Sequence, residues 1–86
     1  MLVIHQSLFY IIKQFPEHKK TIKRLYGESE NFQEACEDHQ KCADALRYWN
    51  QSDSGEALAR TQEYKELMRD LELEIERILN NKESVE

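Results

Sequence analysis

Two cysteines and a histidine share one short stretch, CEDHQKC, running from Cys36 to Cys42, and these residue types are the ones that bind metals or exchange disulfides. Cys36, His39 and Cys42 are spaced by three and three. On a helix each such step turns about 300°, and the two ends are separated by a rise of ~9 Å. Cysteines on one rigid helix at that separation exceed the limit of about 7 Å between Cα atoms for a disulfide. Nor can both thiolates easily reach a zinc held at about 2.3 Å while His39 also binds it, and a structural site takes four ligands. His39 with one cysteine could share a metal only if another chain completed the set. The stretch is therefore expected to hold no metal and no cofactor. Cys42 is read as a small seam residue, Cys36 as flanking the seam, and His39 as a half-buried polar seam residue that can fix register and oligomeric state.

The elements that position these residues follow from composition and periodicity. The 86-residue chain has two glycines and one proline, and from Asn31 onward Ala, Leu, Glu, Lys, Gln and Arg dominate. That is the composition of long helices, so the fold class is all-α, within one small domain. Pro16 suits a first helical turn and Gly27 a C-terminal cap, which predicts a short helix over 15–26. Asn31 with Glu34 forms a capping-box pattern opening a helix over 31–49. NQSDSG (Asn50 to Gly55) breaks it, and Asp53 with Glu56 repeats the pattern before a helix over 54–80. Residues 81–86 are expected to fray.

Both long segments carry apolar residues at alternating spacings of three and four. The first seam is Phe32, Ala35, His39, Cys42, Leu46 and Trp49; the second is Ala57, Thr61, Tyr64, Met68, Leu71, Ile75 and Ile78. Joined by a short loop, the two are expected to fold as an antiparallel, coiled-coil-like hairpin with Cys42 near Tyr64, His39 near Met68 and Phe32 near Ile75. The preceding apolar residues 1–14 are read as an extension. His5, Gln6 and Ser7 interrupt it and Lys13 ends it, so neither a membrane span nor a secretory signal is expected. With two cysteines and no disulfide framework, the expected setting is the reducing cytoplasm.

The net charge of −5 is unevenly spread. Lys13, Lys19, Lys20, Lys23 and Arg24 face only Glu17 within residues 13–24, a local +4, whereas residues 28–86 carry seven basic and sixteen acidic side chains. The basic segment could contact a polyanion, either nucleic acid or an anionic membrane, or it could dock by charge on the acidic hairpin of its own chain.

A longer pattern carries a family resemblance. FPEHKKTIKRL (Phe15 to Leu25), Asn31-Phe32, His39 within EDHQK, and a final helix closing on EIERIL (Glu74 to Leu79) resemble the YdcH-like family of small bacterial proteins of unknown function. The resemblance covers about residues 15–79. It implies a long helical hairpin with a short N-terminal helix, and no activity, because the family supplies none. The acidic run Leu71-Glu72-Leu73-Glu74 and Arg69 depart from the lysine-rich last helix of that family.

A hairpin offers no concave, water-excluding pocket, so neither an enzyme nor a small-molecule substrate is expected. Leu58, Leu67, Leu73, Leu79, Tyr48 and Cys36 widen the apolar stripe beyond what one facing helix covers. The favoured function is therefore a protein–protein interaction or oligomerisation module whose partner is another protein or a second copy. Polyanion binding through residues 13–24 is the alternative.

Overall fold

The computed structural model describes residues 6–84, which are all-α, with no strand among them. Four α-helices and one 3-10 turn follow in order: α1 (Gln6–Gln14), the turn Pro16–His18, α2 (Lys19–Glu28), α3 (Glu30–Asn50) and α4 (Ala57–Ser84). Two short helices thus precede the two long ones, where the sequence pattern gave one.

The additional helix is α1, built from part of the expected apolar extension. Leu8, Ile11, Ile12 and Phe15 recur at intervals of three, one and three, which is one face of a helix. That face packs into the core, and Phe9, off it, is 57% exposed. Met1–Ile4, the rest of the apolar stretch, lie outside the described residues.

Several boundaries differ from the sequence expectations for local reasons. Pro16 opens a single 3-10 turn, and the α-helix proper starts only at Lys19. Gly27 does not cap. The helix runs through it to Glu28, and no described glycine has positive φ. Ser29 does both jobs instead: its extended backbone (φ −125°, ψ 115°) ends α2, and its Oγ accepts from the Phe32 N–H at 3.2 Å to start α3. Asn31 consequently lies inside the helix.

At the second break Ser52 and Ser54 take the place foreseen for Asp53. Ser52 Oγ accepts from the Ser54 N–H at 3.1 Å, and Ser54 Oγ accepts from the Glu56 N–H at 3.2 Å. Helix α4 then continues to Ser84, past the stop expected at Asn80, with Lys82 in its last turn where a cation favours the helix terminus. The final two residues, 85–86, fall outside the description.

Helix α4 returns along α3 in the opposite direction. Phe32, early in α3, clusters with Ile75 and Leu79, late in α4, while His39 meets Glu72. The core is concentrated at this end of the pair, where α1 and α2 also pack. Ile11, Phe15, Ile22, Leu25, Phe32, Cys36, Ile75 and Leu79 are buried together there. Cys36 and Leu79, expected to extend an open stripe, are therefore covered, at 1% and 0% exposure.

One buried polar contact ties α1 down. The hydroxyls of Ser7 and Tyr26 lie 2.6 Å apart, both buried, linking α1 to α2. Tyr26→Phe removes this hydrogen bond, a loss of about 0.5–1.5 kcal/mol. A urea midpoint lowered accordingly, with the dependence on urea concentration unchanged, is the expected result.

Candidate functional site

The residues singled out by type divide between the core and the surface. Phe32, His39, Cys42 and Ile75 are buried, whereas Ala35, Leu46, Trp49, Tyr64, Met68, Leu71 and Ile78 are half-buried. Burial stops abruptly along the long pair. From Asp44 to Glu74 no residue is buried, so this stretch forms a two-helix stalk with its apolar seams partly open.

His39 is fully buried, where half-burial was expected, because α1 covers it. The Tyr10 ring lies against it at a centroid distance of 5.2 Å, tilted by 47°. Its polar partner is Glu72, one helical turn beyond the expected Met68, with Nε2 and Oε2 3.1 Å apart. A carboxylate only accepts, so the Nε2–H donates. Nδ1 is buried and has no hydrogen-bond partner among the described residues. This ring joins α1, α3 and α4 at the boundary between core and stalk.

Both cysteines are buried. Both are free thiols, and no group of three His, Cys, Asp or Glu side chains among the described residues could hold a metal ion. Burial, with a smaller contribution from Glu37, pushes the Cys36 thiol up to about 12. Burial and then Asp38 raise Cys42 as well. The thiolate is the reactive form, so maleimide at neutral pH is expected to label Cys36 only as fast as the chain opens.

The same shift has a direction in pH. The unfolded Cys36 thiol ionises near 9 and the folded one near 12, so its contribution to stability is complete below pH 9 and is lost as pH rises toward 12. Cys36→Ala should flatten that part of the stability profile, as read by urea unfolding across the range.

Lys13, Lys19, Lys20, Lys23 and Arg24 are all exposed. The four lysines make no ion pair or hydrogen bond among the described residues. Whatever charge contacts this segment makes, α2 packs on its apolar side through Ile22, Leu25 and Tyr26. Apolar burial is the stronger term, since an exposed ion pair contributes about 0–1 kcal/mol and a fully buried aliphatic side chain about 1.5–3 kcal/mol.

Where the stalk meets the core end, a groove lies between the long helices. Cys42 and Ala45 of α3 face Tyr64, Leu67 and Leu71 of α4 around a cavity of about 310 Å³, with Asp38 and Lys41 also lining it. The sequence carried its signal. Cys42, Trp49, Tyr64 and Leu71 belong to the two seams, and Asp38, Ala45 and Leu67 flank them at helical spacings of three and four.

No described helix is long and apolar enough to cross a membrane. No family model matches the chain, and neither a curated protein nor a solved structure is significantly similar to it.

Proposed function

We propose that this chain is a non-catalytic interaction module, a helical hairpin whose core end is closed by two short helices and whose stalk is the docking surface. The observation that carries this reading is the unburied stretch from Asp44 to Glu74, together with exposed Tyr48, Leu58, Leu67 and Leu73. A two-helix stalk leaves its seams half wet, and a protein partner is what dries them. Kinship with the YdcH-like proteins, drawn from Phe15 to Leu25, Phe32 and His39, belongs to the same proposal, as does a cytoplasmic setting.

A second reading has its own support. Lys13, Lys19, Lys20 and Lys23 are exposed cations without an acidic partner among the described residues, which is what a polyanion would contact. Against it stands the acidic remainder of the chain, which repels the same ligand.

A tagged chain used as bait in lysate tests the first reading, with Leu67→Glu as one control and the pair Lys20→Glu and Lys23→Glu as another. Capture of a stoichiometric protein that Leu67→Glu abolishes and the lysine reversals leave intact is expected. Titration with anionic vesicles and duplex DNA tests the second, and no binding at physiological salt is expected. Salt-sensitive binding lost in the lysine-reversed variant would move the function to a polyanion surface.

A further inference from the structure

The groove between the long helices has an apolar floor and a charged margin. The floor is formed by Cys42, Ala45, Tyr64, Leu67 and Leu71, and Leu67 is 48% exposed over it. Its two charged lining residues are of opposite sign. Asp38 and Lys41 make no ion pair or hydrogen bond with any described residue, although both sit at the groove.

We propose that the occupant is a second copy of this chain, docked groove to groove about a twofold axis so that two stalks close into a four-helix bundle. The inference rests on the interaction-module reading and names its partner. Three features of the groove converge on it.

First, a twofold interface is isologous, so each surface must complement itself. A patch carrying one unpaired anion and one unpaired cation meets that condition, because the rotation can bring each copy's Lys41 toward the other's Asp38. A patch of a single sign would repel its own image. Residues 28–37, with Glu28, Glu30, Glu34 and Glu37 and no Lys or Arg, carry a single sign, and they lie at the opposite end of the long pair from the loop.

Second, the seams at the groove have heptad spacing on both helices, and the element that fits between two such seams is a helix pair with the same repeat. The chain itself carries that pair. Third, the interface would cover what the fold leaves open on this flank: Leu67, the half-buried Tyr64 and Leu71, and Trp49, four residues along α3 from Ala45. Leu58, 84% exposed, lies about 180° round α4 from Leu67 and stays outside it.

Sedimentation equilibrium of the whole chain over a wide concentration range tests the proposal, with emission from Trp49, the chain's one tryptophan, as a second readout. The expected result is a mass that rises to twice the chain mass with concentration, accompanied by a blue shift as Trp49 leaves water. Leu67→Glu should stay at the monomer mass throughout, and Leu58→Glu should behave as wild type. Asp38→Lys should weaken the dimer, and adding Lys41→Asp to it should restore it.

A wild-type chain that is monomeric at every concentration overturns the proposal, and that result is independent of whether any variant folds. A dimer broken by Leu58→Glu but not by Leu67→Glu also overturns it, by placing the interface on the other flank. Failure of the wider reading is distinguishable. A monomeric wild type that still captures another protein through Leu67 removes the second copy and keeps the module, whereas a monomer that captures nothing removes both.

Discussion

Phe32→Ala is expected to cost about 3–5 kcal/mol, the range for emptying an aromatic site that the surroundings cannot refill. Phe32 is 2% exposed and sits where the linker residue Phe15, helix α2 and the far half of α4 meet, so the loss falls on every contact that closes the core end. A small domain has roughly 5–15 kcal/mol in total, so this one change removes a large part of it. Thermal and urea unfolding should both show the shift. Leu58→Ala, at an 84% exposed position, is the matching control and should stay within about 0.5 kcal/mol of wild type. Equal effects at the two sites would mean that the core does not lie at the end of the long pair where Phe32 packs.

The second large effect is expected at His39 and Glu72, and its two halves have opposite signs. Glu72→Ala removes the acceptor of the Nε2–H and leaves both ring nitrogens of a fully buried imidazole without a protein partner, at a cost of about 1–3 kcal/mol. His39→Leu removes the donor, but it also removes the stranded Nδ1 and adds apolar burial worth about 1.5–3 kcal/mol for a full side chain. Glu72 is half-buried and can return to water. His39→Leu is therefore expected to stabilise the chain by about 1 kcal/mol, once the lost charge-assisted bond is set against these gains. The check is urea unfolding of both single variants and the double variant. Destabilisation by His39→Leu larger than that by Glu72→Ala would show that the imidazole's shape against Tyr10 matters more than its hydrogen bond.

Helix class was legible in the sequence because it depends on local quantities. Few glycines, one proline and the three-four spacing of Phe32 to Trp49 and of Ala57 to Ile78 specify long amphipathic helices wherever they are packed. The failure of CEDHQKC as a disulfide is equally local, since helical rise alone separates Cys36 from Cys42. Caps were harder to read. Asn31, Asp53 and Gly27 each have the chemistry for the role, but Ser29, Ser52 and Ser54 have it too, and the choice depends on where the chain must turn so that Phe32 enters the core.

Tertiary structure decided which polar and apolar residues became buried. Seam spacing cannot say how much of a helix face is covered, because the cover comes from elsewhere in the chain: α1 places Tyr10 over His39, and the core end, where α1 and α2 pack, encloses Cys36 and Leu79. The pairing of His39 with Glu72 likewise depends on how α3 and α4 are set against each other, since seam spacing does not say which polar side chain beside the seam reaches the buried ring. The stalk between Asp44 and Glu74 follows from the same accounting. Two short helices suffice to close one end of the long pair, and the remaining seam stays partly open because no other described element lies across it.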